Sequence, residues 1–196
     1  MKNALREKIT ESKRQLILQE VSKIFESEGI GSVTMQQIAK KIGISVGSLY
    51  NLFDSKEALY SAYVNEQIRH FHEEFLRRCP PECDPLESLE VFVRMKFDTF
   101  RLKRKAVEDP AAEDPLFFLK MHSRQRAEAE AILTDLARRF EALNRIRPLK
   151  EEEFLKLAYL FNAFSTGYVE YWLLRGGSLE VPPAEVVTRF LEGMYR

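Results

Sequence analysis

The sequence predicts an all-α protein, with an N-terminal unit of three helices followed by a C-terminal helical bundle, about nine helices in all. Three observations carry that expectation. Only eight glycines and eight prolines punctuate 196 residues, too few for the frequent turns of a sandwich or barrel. Long runs rich in Leu, Glu, Lys, Arg, Ala and Phe favour helix. Apolar residues recur three or four positions apart, the period of a helix packed on one face. Hydrophobic residues make up 45% of the chain, enough to fill a core. The 30 basic and 30 acidic residues balance, which excludes a global field and confines any charged site to a local patch.

The first helix is expected over Ala4 to Glu28, where Ile17, Val21, Ile24 and Phe25 share a face and Gly29 follows as a C-terminal cap. Thr34 and Gln37 have the spacing of a capping box and open a short helix to about Lys41. Gly43 supplies a tight turn, and Ser45 caps a second short helix from Val46 to about Phe53. Two short helices about a glycine turn describe a helix-turn-helix. Asp54 or Ser55 caps the next helix, which runs to about Arg78 and ends at Cys79-Pro80-Pro81.

Asp84, Pro85 and Glu87 restart the chain with a capping acid, a proline at the first helical position and an acid in the first turn. On this helix, to about Lys105, Glu87, Glu90, Arg94, Asp98 and Arg101 gather into a narrow polar stripe, and most of the remaining circumference is apolar, as in a central bundle helix. Further helices are expected at Pro115–Met121, Ser123–Arg145 and Glu151–Arg175, the last closed by Gly176-Gly177. A final helix carries Val186, Val187, Phe190, Leu191 and Met194 on one face. The division expected is 1–54 for the helix-turn-helix domain and 55–196 for a ligand-binding and dimerisation domain, with Ser55–Arg78 as connecting helix.

Thr34, Ile38-Ala39, Gly43, Ser45, Gly47, Ser48, Leu49-Tyr50, Phe53, Ser55-Lys56-Glu57 and Leu59 stand in a single register. That register resembles the N-terminal DNA-binding region of the tetracycline-repressor (TetR) family of transcriptional regulators. With Phe25 and Gly29 of the first helix, the resemblance covers about the first third of the chain. The remainder is similar to the family only in size and helical character. The resemblance implies a homodimer on a palindromic operator in double-stranded DNA, a repressor by default, released when a small molecule binds the C-terminal region.

The residues support DNA reading independently. A helix beginning Ser45-Val46-Gly47-Ser48 is slim enough to enter the major groove, where hydroxyls bond base edges or phosphates and Val46 can meet a thymine methyl. Tyr50, Asn51, Lys56 and Thr34 are placed to bond phosphate oxygens. Residues 1–60 hold nine basic against seven acidic side chains, a net of +2, so affinity depends on where each cation sits. None of Val46, Gly47 or Ser48 is a long donor, which leaves room for water and DNA shape in specificity.

One short helix reads few base pairs, so two copies must reach successive major grooves. Phe164, Gly167, Tyr168 and Tyr171, with Phe190, Leu191 and Met194 of the last helix, are the candidate interface of a homodimer. Lys96 is anomalous at the centre of an apolar arc. It can snorkel, pair with Glu170, or meet the anionic headgroup of an amphipathic effector whose tail lies among Phe92, Met95, Phe100, Phe117, Phe118 and Phe161. Pro110 and Pro115, among acids, mark an element able to sense such a ligand.

Cys79 and Cys83 flank Pro-Pro-Glu and are a candidate redox pair; two cysteines make no disulfide framework and fit a reducing compartment. Neither they nor His70 and His72, two apart on a helix, have metal-site spacing, and no cofactor or metal is expected. No phosphate loop, nucleophile elbow or His-Glu-x-x-His motif suggests an enzyme. The alternative class is an architectural DNA-binding protein without an effector. No bilayer-spanning run and no secretory start are read, so the expectation is a cytoplasmic protein away from membranes.

Overall fold

The computed structural model describes residues 2–104, 126–150 and 153–193. Among them are eight helices and no strand, in agreement with the all-α expectation. In chain order they are α1 (Lys2–Glu28), α2 (Met35–Ile42), α3 (Val46–Tyr50), α4 (Lys56–Arg78), α5 (Pro85–Leu102), α6 (Arg126–Ile146), α7 (Phe154–Arg175) and α8 (Pro183–Glu192). The helix expected at Pro115–Met121, with Pro110 and Pro115, lies outside the described residues.

The chain divides into two compact units. The first contains α1, α2, α3 and α4 as far as Gln67, together with Lys103 and Arg104. Its core joins Leu18, Val21 and Phe25 of α1, Ile38 of α2, Leu49 of α3, Phe53, and Leu59 and Tyr63 of α4. Phe25 and Tyr63 meet edge to face, with ring centroids 5.3 Å apart. Burial raises the Tyr63 hydroxyl pKa above its ordinary range, with Glu26 adding to the effect.

The second unit holds α4 from Ile68, α5, α6, α7 and α8. Here α5, α6 and α7 pack on one another, and α8 lies against α5 and α7. The core is aromatic: Phe161 of α7 makes edge contacts with Phe140 of α6 at 5.7 Å and Phe190 of α8 at 5.2 Å, while Phe92 of α5 meets Phe71 and Phe75 of α4. Among the described residues no helix is long and apolar enough to cross a membrane.

The expected caps are the physical stops and starts of these helices. Thr34 and Gln37 form the reciprocal box, the Gln37 N–H donating to Thr34 Oγ1 at 3.3 Å and the Thr34 N–H to Gln37 Oε1 at 2.8 Å. Gly43 takes φ 75°, and its N–H and that of Ile44 return to the last carbonyls of α2. Ser45 accepts the Ser48 N–H at 3.1 Å, Ser55 the Ala58 N–H at 3.0 Å, and Asp84 Oδ1 the Glu87 N–H at 2.9 Å. Several boundaries differ from expectation, among them the start of α7, at Phe154 rather than Glu151. α3 ends at Tyr50 rather than near Phe53, because the chain turns there to bury Phe53, and α5 ends at Leu102 rather than near Lys105.

Candidate nucleic-acid interface

The first unit builds its surface around one buried side chain of α3. Leu49 is fully buried between α1, α2 and α4 residues, and this fixes the rotation of α3 about its axis. The opposite face is then set: Ser45, Gly47, Ser48, Tyr50 and Asn51 are exposed, and Val46 is half-buried. Thr34, at the start of α2, is exposed, and Lys56, at the start of α4, is half-buried. A Cβ at Gly47 would meet nothing within 4 Å, so a second molecule can come close to the backbone there.

Polar geometry constrains this face further. The Ser45 and Ser48 hydroxyls lie 2.7 Å apart, so one holds the rotamer of the other while both stay open to solvent. In the first turn of α4 the Ala58 N–H is capped by the Ser55 hydroxyl at 3.0 Å. Glu57 sits in the same turn, its carboxyl held below the ordinary range by its own backbone N–H and by the Ser55 hydroxyl.

One contributor escaped the sequence. The Arg14 guanidinium donates to the Leu52 carbonyl at 3.1 Å and lies 4.5 Å from the centroid of the Phe53 ring, tying α1 to the turn that ends α3. No local pattern signals it, because its partners are 38 residues away. Lys41, near the end of α2, pairs with Glu28 at 2.7 Å.

This arrangement is similar to that of a known family over part of the chain. Residues 17–63 match the model for bacterial regulatory proteins of the tetR family, a span that begins in α1 and ends in α4 and so contains the whole α2–turn–α3 device. Over that span the chain is similar to the tetR family. That is a family of regulatory proteins rather than enzymes.

An HTH-type transcriptional regulator of Mycobacterium tuberculosis is 34% identical over 84 residues, which cover 43% of this chain and 42% of that protein. The chain thus spans less than half the length of the curated relatives that it matches. A TetR transcription regulator from Haloarcula marismortui superposes with a TM-score of 0.72 at 14% identity, over 95% of this chain and 100% of that one. The Thermus thermophilus repressor FadR, solved in complex with lauroyl-CoA, gives 0.66 at 18% identity, over 93% and 95%. At these identities the likeness is one of fold, and it covers residues of both units.

The second unit places the other candidate residues. Lys96 neither snorkels nor pairs with Glu170. It is 7% exposed, and its ammonium faces four oxygens of α7: Asn162 O at 3.0 Å, Asn162 Oδ1 at 2.8 Å, Ser165 Oγ at 2.7 Å and Thr166 Oγ1 at 3.1 Å. The Phe92 ring adds its face, 4.9 Å from Nζ. Burial among neutral partners lowers the Lys96 pKa to about 7. Phe92, Met95 and Phe161 are buried in the core, and Phe100 packs on its edge. Phe117 and Phe118 lie outside the described residues.

Of the candidate interface residues, Phe164, Gly167 and Tyr171 are exposed on α7, while Tyr168 is half-buried against Phe97. Phe190 and Leu191 are buried inside the chain's own core, because α8 turns its apolar face inward. Met194 lies outside the described residues. The structure adds Leu155, Tyr159, Leu160 and Leu174 to the exposed side of α7, with Tyr171 and Leu174 at 69% and 83% exposure. No three His, Cys, Asp or Glu side chains group as a metal site among the described residues.

Proposed function

We propose that the protein is a transcriptional regulator, a repressor, that binds a palindromic operator as a homodimer and is released by a small hydrophobic or amphipathic effector. The observation that carries this reading is the α3 surface. A buried Leu49 turns Ser45, Val46, Gly47, Ser48, Tyr50 and Asn51 outward, with Thr34 and Lys56 at neighbouring helix starts to hold phosphates.

Dimerisation is supported by the exposed apolar side of α7, where Ala163 and Gly167 stand one turn apart among Tyr159, Leu160, Phe164 and Tyr171. Small residues there let a second helix approach closely, and a two-fold axis through this face would use the same surface twice. The effector class is supported by the likeness in fold to a repressor that holds lauroyl-CoA. In this chain an anionic headgroup would have to replace the oxygens around Lys96, with Phe92, Met95, Phe100, Phe161, Phe117 and Phe118 as candidates for the tail. Such a ligand releases DNA only if it binds the DNA-incompetent arrangement more tightly. α4 gives side chains to both cores, so it is the covalent route for that coupling.

The close packing of Phe92, Phe140, Phe161 and Phe190 favours a second reading, an effector-independent DNA-binding protein with a filled bundle. Native mass spectrometry of the purified protein separates them. A dimer that carries or takes up lauroyl-CoA supports the regulator, and a dimer that refuses acyl ligands supports the second reading. A stable monomer contradicts paired half-site binding in either form.

A further inference from the structure

The break between α4 and α5 brings together chemistry that DNA reading does not use. α4 ends at Cys79, whose N–H still donates to the Phe75 carbonyl at 2.8 Å, and Pro80 opens a tight turn closed by the Cys83 N–H on the Pro80 carbonyl at 3.0 Å. This turn folds the chain back on itself and brings Cys83 to the end of α4, its Sγ 4.0 Å from the Arg78 carbonyl. Both thiols are free. Cys79 is buried and Cys83 half-buried.

Two further groups converge on the pair. The Ser88 hydroxyl, from the first turn of α5, donates to the Asp84 carbonyl at 2.9 Å and acts on the Cys79 thiol. Arg139 of α6, itself 5% exposed, donates to the Cys79 carbonyl at 2.6 Å and the Pro81 carbonyl at 2.9 Å. Its charge acts on the Cys79 sulfur, and its Nε has no hydrogen-bond partner among the described residues. A buried guanidinium fastened to the backbone of a two-cysteine turn holds that turn, and with it both cysteines, in place.

We infer that Cys79 and Cys83 form a reversible dithiol–disulfide site that reacts with peroxides. Cys83, the more exposed sulfur, meets the oxidant. Its thiolate attacks one peroxide oxygen, an S–O bond forms as the O–O bond breaks, and hydroxide leaves and takes a proton to become water. The Cys79 sulfur then attacks the sulfenyl sulfur. The S–S bond forms, the S–O bond breaks, and hydroxide departs with the Cys79 proton as a second water. Overall two thiols are oxidised and one hydrogen peroxide is reduced to two waters. Burial raises the Cys79 thiol pKa, in keeping with its role as the resolving partner rather than the first to react. The inference does not depend on DNA binding, because its readout is the state of two sulfurs.

The test uses the full chain treated with hydrogen peroxide, then alkylated with N-ethylmaleimide in denaturant and weighed intact. The expected product has lost two hydrogens, takes up no alkyl group, runs as a single chain without reductant, and regains both alkylation sites after dithiothreitol. In Cys79→Ala, Cys83 should stop at the sulfenic acid and be trapped by dimedone. In Cys83→Ser, oxidation of Cys79 should be slower than that of Cys83 by about tenfold or more. Two alkylatable thiols remaining in the peroxide-treated wild-type chain would overturn the inference, whatever the variants do. So would a disulfide found only between chains.

Discussion

Ser45 uses one hydroxyl for two tasks, capping the Ser48 N–H and holding the Ser48 hydroxyl 2.7 Å away on the exposed face of α3. The two serines should therefore separate stability from binding. Ser45→Ala is expected to cost about 1 kcal/mol in urea unfolding, and Ser48→Ala to leave the unfolding midpoint nearly unchanged while weakening DNA binding. Lys96 gives a prediction of a different kind. Its pKa falls from an ordinary 10.5 to about 7 in the folded chain, so between those values the unfolded state binds the extra proton. Stability should rise as pH increases across that window by at most about 1.4 kcal/mol per pH unit. Below about 7 both states are protonated and the contribution is flat. Tyr63 acts in the opposite sense only above the ordinary tyrosine range, where the folded chain keeps a proton that the unfolded chain loses. Urea midpoints taken from pH 7 to 9.5 should show the rise in the wild-type chain and a shallower profile in Lys96→Met.

Among the elements, the α2–turn–α3 device was the most legible in the sequence, because its geometry is carried by local chemistry. A threonine and glutamine three apart, a glycine at φ 75° and a serine cap each leave a mark within a few residues. Gly43→Ala isolates that contribution. An added Cβ would meet nothing within 4 Å, so the cost is backbone strain alone, about 1–2 kcal/mol by chemical unfolding. What the sequence could not show are ties across long separations. Arg14 to Leu52, Lys96 to Asn162, and Arg139 to Cys79 span 38, 66 and 60 residues, and periodicity cannot say which polar side chain will be buried against which carbonyl. The same limit explains α8. Its apolar face was plain in the sequence, but only packing shows that Phe190 and Leu191 fill the chain's own core.

At the level of the whole molecule, paired half-site binding needs two reading surfaces held at a fixed separation, and the exposed side of α7 is the element proposed for that task. Gly167→Leu tests the assignment without disturbing the chain itself, since nothing lies within 4 Å of the position a Cβ would take. The variant should keep its helical circular dichroism while shifting to monomer in sedimentation velocity, and a dimer of wild-type affinity would move the interface elsewhere. The most direct test of the central claim is selection of DNA by the wild-type protein from a randomised duplex library. Sequences recovered as an inverted repeat, with half-site centres about one helical turn or a multiple of it apart, are what paired α3 helices predict. Recovery of a single asymmetric site, or no enrichment over the starting library, would contradict it.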